Sequence, residues 1–293
     1  MQFNKIFFRP PSPTYTSKEF KGTDRYFEIP SNDIKKNKST RIPCLLMPYI
    51  LNQQNISKYY IVYFHGNAED LGTSYDFLYD LRNEAKCNIL LTEYGGYGLY
   101  QQTDSSVKQI EYDSEIVLIY INEVLKTPKQ NIILLGRSMG SGPACLLASK
   151  YQVRGLMLIS AFTSLRDVAK KFVGSFISKI VQNGFQNIDL IDKILCPILI
   201  IHGKNDKLVP VKHAHYLADK VNNRVTQFYQ NNMTHNDYDF DKDIKINILT
   251  FLKEKMFIYQ EENDPILSKF EVLMQEKFIY IYPEYQQFFT KND

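Results

Sequence analysis

From residue 58 to residue 252 the chain alternates short, dense β-forming runs with longer stretches whose apolar residues recur at helical spacing. That alternation leaves few folds open, because strands joined by helices run parallel and are covered on both faces. The runs at 59–64, 88–92, 131–135, 155–160, 197–201 and 225–229 are rich in apolar residues, as expected of strands buried on both sides. Between them, 70–85 places Leu71, Tyr75, Leu78 and Arg82 on one helical stripe. The stretch 105–125 does the same with Val107, Ile110, Val117, Ile121 and Val124. Further helices are expected over 139–151 and over 210–220, the latter opened by Pro210 in its first turn. Phe240, Ile244, Ile248, Phe251 and Leu252 mark a closing helix. The expected class is therefore α/β, a mostly parallel central sheet with helices on both faces.

At 293 residues, with 44% hydrophobic and 23% charged, the chain is long and apolar enough to build one such domain. That domain is expected over 1–253. It opens on an irregular segment, 1–57, in which Pro10, Pro11, Pro13 and Pro30 break helices. Within it, 25–29 and 42–47 read as edge strands, with Lys35, Lys36 and Lys38 on a solvated loop between them. A net charge of +3 is too small and too dispersed to make nucleic acid a partner. Cys44, Cys87, Cys145 and Cys196 lie far apart beside apolar residues and lack metal-ligand spacing. They read as buried free thiols of a cytoplasmic protein, and no metal is expected on them. The apolar stretches near 195–201 and 116–121 are too short to span a membrane, and no signal-peptide run opens the sequence. Membrane contact is therefore expected to be peripheral at most, through the lysine loop.

In open parallel sheets, ligand chemistry gathers at the carboxyl ends of the strands. Past the 131–135 run lies Gly136-Arg137-Ser138-Met139-Gly140, a match to G-x-S-x-G. Small residues flanking Ser138 permit a turn tight enough to expose its Oγ, and the Met139 amide then stands at a helix start, aimed at a developing oxyanion. Past 59–64 lies His65-Gly66-Asn67-Ala68, where the fold takes its second oxyanion amide. Asn67 is the first choice and Ala68 the alternative, with His65 expected to shape the loop by a hydrogen bond. Past 197–201, Asp206 follows Gly203 and Asn205 and reads as the acid. Past 225–229, His235 sits on a polar loop and reads as the base, with Asn236 or Asp237 capping the closing helix. His213 and His215 fall inside the 210–220 helix, and His202 reads as a strand-end histidine. The chain order Ser138, Asp206, His235 is that of the α/β-hydrolase fold.

These residues carry a family resemblance. The shared stretches are 63–68 with Asp70-Leu71-Gly72, Tyr94-Gly95-Gly96-Tyr97-Gly98, 136–142, 200–206 and Thr234-His235-Asn236-Asp237, together with an early segment at 8–15. Over 7–252 the chain resembles the alpha/beta-hydrolase-domain proteins that include cytosolic-face protein depalmitoylases. The resemblance implies hydrolysis of an acyl thioester on a modified cysteine, or of a related ester, without metal or cofactor. Three features depart from the group. The N-terminal cysteine cluster used for lipidation is missing, Glu93 stands where Asp is usual, and 254–293 runs past the expected end. In that extension Leu267, Phe270, Leu273 and Phe278 hint at a helix, read as packed on the core or as a partner-binding tail.

One further stretch bears on substrate. Leu165, Val168, Ala169, Phe172, Val173, Phe176, Ile177, Ile180 and Val181 keep i, i+3, i+4, i+7 spacing, opposite Arg166, Lys170, Lys171 and Lys179. Burying such a stripe is worth on the order of 15 kcal/mol gross, at roughly 1.5–3 kcal/mol per large side chain. It reads either as plain core or as a small helical cap within 161–190. As a cap, its apolar side, with Phe172 and Phe176, would line an acyl pocket. The leading expectation is a serine hydrolase that cleaves acyl thioesters or esters through an acyl-enzyme, acting on an acylated protein or a small acyl ester. A peptidase, carboxylesterase or lipase on the same scaffold and an inactive hydrolase-fold scaffold are the rivals.

Overall fold

An antiparallel pair, β1 (Arg25–Asp33) and β2 (Lys38–Met47), opens the sheet. Both strands run longer than the sequence suggests, with pairing that extends from Arg25 opposite Leu46 to Asp33 opposite Lys38. Lys35 and Lys36 stand in the connecting turn, whereas Lys38 belongs to β2. The structure, a computed structural model, describes residues 7–20, 22–52, 55–170, 184–221, 224–256 and 268–269.

Two short strands follow, β3 (Ile50–Asn52) and β4 (Asn55–Ile56). The alternation then begins with β5 (Tyr60–Phe64), α1 (Leu71–Ala85), β6 (Asn88–Thr92), α2 (Val107–Glu123) and β7 (Ile132–Arg137). It continues through α3 (Ser141–Lys150), β8 (Gly155–Ile159), β9 (Ile198–Gly203), α4 (Lys212–Val221), β10 (Val225–Gln230) and α5 (Ile246–Met256). The eight-stranded sheet has the order β1-β2-β6-β5-β7-β8-β9-β10, and β2 alone runs against its neighbours. β11 (Ser268–Lys269) pairs antiparallel with β4, so two residues expected to be helical are strand. The remainder of 257–293 lies outside the described residues.

Alternate side chains of each central strand feed two cores. On one face Val62, Leu134, Leu158 and Ile200 pack with Ile110, Val117 and Leu147 of α2 and α3, and with Leu217 of α4. On the other face Ile61, Leu135, Met157 and Ile201 meet Leu78 and Leu81 of α1 and Phe251 and Leu252 of α5. Burial on both faces is why these strands carry so few polar residues.

The helix starts differ in detail from the sequence expectation. Asp70 caps α1 rather than belonging to it. Its carboxylate accepts from the Thr73 amide at 2.9 Å while Thr73 Oγ1 accepts from the Asp70 amide, a reciprocal pair that fixes the helix start. The closing helix begins as a wide π-type turn, Phe240–Lys245, capped by Asp239. Asn236 and Asp237 are not its caps: Asn236 accepts from Arg137, and Asp237 closes a small turn with Thr234. Of the proposed cap stripe, Leu165 and Ala169 are buried and Val168 is partly buried on a helix described through residue 170. Phe172 and Phe176 lie outside the described residues.

Candidate active site

The site is assembled from four turns at the carboxyl edge of the sheet. The first joins β7 to α3. Ser138 adopts φ 50°, a left-handed conformation costly for a residue with a side chain and sustained here by its surroundings. A Cβ on Gly140 would strike the Phe64 carbonyl, so the close approach of this turn to the β5 loop requires glycine. The same Cβ would also meet the His65 carbonyl, so the serine turn lies against the start of the loop that carries Asn67.

The second and third turns carry Asp206 and His235, the residues expected as acid and base. Asp206 lies just past β9, and its Oδ1 accepts from the Leu208 and Val209 amides at 2.9 and 2.7 Å. Its Oδ2 stands 2.7 Å from His235 Nδ1. His235 Nε2 in turn lies 2.9 Å from Ser138 Oγ. Ser138, His235 and Asp206 are 8, 7 and 4% exposed, so the line is largely screened from water. The loop carrying His235 is seated on the end of β9, where a Cβ on Gly203 would strike the Met233 carbonyl.

Burial alone would raise the Asp206 carboxyl. Hydrogen bonds from His202 and His235, the His235 charge and the Val209 amide outweigh it and hold the group well below the usual carboxylate range. His202 is more than a strand end: its Nε2 is 2.7 Å from the Val209 carbonyl and 3.4 Å from Asp206 Oδ2. A carbonyl partner requires that nitrogen to carry the proton, so His202 braces the acid loop as a donor. His213 is buried against Thr163, with Nδ1 2.9 Å from Oγ1, and burial pushes it down to about 4. His215 packs edge-on against Tyr229.

The fourth turn follows β5. His65 Nδ1 lies 2.8 Å from the Gly66 carbonyl, and its Nε2 lies 2.8 Å from Glu93 Oε1, the loop-shaping contact expected of it. Glu93 is fully buried and also accepts from the Tyr15 hydroxyl and the Leu71 amide, which accounts for a carboxylate at this position. The Asn67 side chain is committed to structure. Its Nδ2 donates to the Phe7 carbonyl at 2.7 Å, and its Oδ1 accepts from the Arg9 amide and the Tyr97 hydroxyl. The early segment at 8–15 is thus strapped to this loop, with Thr14 bonded to Asp70 and Tyr15 to Glu93.

The sequence offers Glu69 only as one of the acids near the site, with Asp70 and Glu93, and gives no sign of its contact with Arg137. The two form an ion pair beside Ser138, with Arg137 buried and Glu69 partly buried, and Arg137 also reaches the His235 carbonyl. Arg137 occupies a variable position of the G-x-S-x-G pattern, and its partners lie far away in the chain, so no local spacing announces the contact.

The strand order, the strained serine and the serine–histidine–carboxylate line define the class: a serine hydrolase of the α/β-hydrolase fold. The model of the serine hydrolase (FSH1) family matches residues 79–236, more than half of the chain, and the chain belongs to that family. It is 28% identical over 256 residues to human alpha/beta hydrolase domain-containing protein 17B, covering 80% of this chain and 85% of the relative. It is 27% identical to the Caenorhabditis elegans alpha/beta hydrolase domain-containing protein aho-3, covering 80% and 73%. Among solved structures, the Pyrococcus furiosus esterase Pf2001 superposes with a TM-score of 0.63 at 15% identity, over 84% of this chain and 99% of that one. Est1E from Butyrivibrio proteoclasticus, with ferulic acid bound, gives 0.60 at 13% identity over 74% and 96%. Among the described residues no helix is long and apolar enough to cross a membrane.

Proposed function

We propose that this chain cleaves acyl thioesters, or the corresponding esters, through an acyl-enzyme on Ser138, with an S-acylated protein cysteine as substrate. The reaction would then be protein depalmitoylation, with peripheral contact at a membrane where such substrates reside. The observation that carries the reading is the hydrogen-bonded line from Ser138 Oγ through His235 to Asp206 at a strained turn.

In this reading His235 Nε2 takes the Ser138 proton as Oγ attacks the acyl carbonyl carbon. The negative charge that develops on the carbonyl oxygen is stabilised by the Met139 and Asn67 amides. Collapse breaks the C–S or C–O bond, and the leaving group departs with the proton held by His235. Water, deprotonated by the same nitrogen, then attacks the acyl-enzyme, and the second collapse frees Ser138 and a carboxylic acid. Asp206 holds the His235 tautomer and stabilises its charged form.

A peptidase that captures a free amino terminus would need acidic side chains open to the substrate. Glu69, Asp70 and Glu93 lie in or against the loop after β5, and each is tied to protein donors: Arg137, Thr14 with Thr73, and His65 with Tyr15. That favours an acyl substrate over an amino-terminal peptide. The test is kcat/KM on acyl thioesters of graded length. Each buried methylene contributes about 0.8 kcal/mol, or roughly a fourfold step, where apolar wall is available. The expected profile climbs from short to long chains, and Phe172→Ser or Phe176→Ser flattens it while a small activated ester is still hydrolysed. A profile that falls beyond acetyl contradicts the proposal. A drop in thermal midpoint in these variants with the profile unchanged places the stripe in the core and removes it as the wall of an acyl pocket.

A further inference from the structure

Arg137 joins the two loops that flank Ser138. Its guanidinium group sits in a residue only 6% exposed. Nη2 donates to the His235 carbonyl at 2.7 Å and to Asn236 Oδ1 at 3.2 Å, while Nη1 pairs with Glu69. Glu69 Oε2 accepts from the Gly66 amide at 2.8 Å and from the Tyr63 hydroxyl at 3.1 Å. The Tyr238 ring lies 5.4 Å from the guanidinium carbon. A continuous path therefore runs from the Gly66 amide through Glu69 and Arg137 to the backbone of His235. It spans the β5 loop, the serine turn and the loop after β10.

We infer that Arg137 and Glu69 are positioning residues that set the distance between the oxyanion loop and the base. The inference rests on the reading of Ser138 as nucleophile given above. Neither side chain bonds to Ser138 Oγ or to the His235 ring among the described contacts, so their action passes through the backbone of the two loops. The planar guanidinium suits this task because separate nitrogens serve separate partners in a fixed geometry. A lysine ammonium is a point charge on a flexible stem and cannot hold the Glu69 carboxylate and the His235 carbonyl in that fork. Small errors of placement are costly at such a site, where a shift of about 1 Å can lower turnover on the order of 10²-fold.

The test measures kcat and KM on p-nitrophenyl butyrate, with active sites counted by the end point of fluorophosphonate labelling. Wild type, Arg137→Lys, Glu69→Gln/Arg137→Met and Ser138→Ala are compared. The double substitution avoids leaving one buried charge without its partner. It is expected to lower kcat per labelled site by about 10²-fold with KM within about threefold of wild type. Arg137→Lys should recover part of that loss. If the double variant does not fold, Arg137→Lys decides alone: a loss of about tenfold in kcat at constant KM supports the inference. A kcat per labelled site within about twofold of wild type in the decisive variant overturns it. Full activity in Ser138→Ala would remove the reading of the site itself. An inactive Ser138→Ala beside fully active Arg137 variants would overturn this inference alone.

Discussion

The five histidines show how surroundings assign a role to one residue type. His65 is bound to Glu93, His202 braces the acid loop, His213 is kept neutral by burial beside Thr163, and His215 packs on Tyr229. His235 stands between the Ser138 hydroxyl and the Asp206 carboxylate. Replacing it by alanine is expected to cost nearly as much as losing the serine, whereas His213→Ala and His215→Ala should leave kcat within about threefold of wild type. A comparable collapse of kcat in His215→Ala would show that the base has been misassigned. Asp206→Asn should lower kcat by about 10⁴-fold, because the imidazole loses the group that fixes its tautomer. The depressed Asp206 carboxyl also favours the folded state. That contribution is present above the carboxylate's unfolded value and is lost as pH falls through its lower folded value. Over ordinary assay pH Asp206 therefore stays charged.

At the scale of elements, the strap at 8–15 and the β5 loop act together. Asn67→Ala removes the side-chain bonds to Phe7, Arg9 and Tyr97 but keeps the backbone amide. If the strap holds that amide in place, kcat should fall by up to about 10²-fold with little change in KM. Unchanged kcat would show that the loop holds its shape without the strap. The central strands were legible because burial on both faces demands unbroken apolar residues. The far ends of β1 and β2 were not legible, since Ser31, Asn32 and Thr40 look like loop residues. They are satisfied by distant partners: Ser31 by Asp113, the Asn32 carbonyl by Gln109, and Thr40 by Tyr100. Ser138, Asp206 and His235, which the structure brings into one hydrogen-bonded line, were legible as a set because each follows its own strand in a fixed order. The contacts of Arg137 with Glu69 and the His235 carbonyl were not, because they exist only after the sheet has brought β5, β7 and the loop after β10 together.

At the scale of the whole molecule, Asp113 links stability to pH. It is buried where α2 meets β1, and burial pushes its carboxyl up to about 7, with hydrogen bonds from Ser31, Gln109 and Tyr100 opposing and the Asp33 charge reinforcing. In the unfolded chain it would ionise near 3.9. Between those values the folded state holds a proton that the unfolded state has lost, so this group's contribution to stability falls as pH rises through that window. The difference is on the order of 3–4 kcal/mol between pH 4 and pH 8. Asp113→Asn keeps a neutral side chain of the same shape, and denaturant unfolding at the two pH values should find it less pH-sensitive than wild type. An equal pH dependence in both proteins would mean that Asp113 ionises normally in the fold. The central claim is that Ser138 carries the acyl group, and the most direct measurement is single-turnover mass spectrometry on a long-chain acyl thioester quenched in acid. The account predicts a transient acyl adduct on the peptide containing Ser138, absent from Ser138→Ala, whose kcat should fall by on the order of 10⁶-fold. An adduct on another residue, or a Ser138→Ala variant within about tenfold of wild-type kcat, would contradict it.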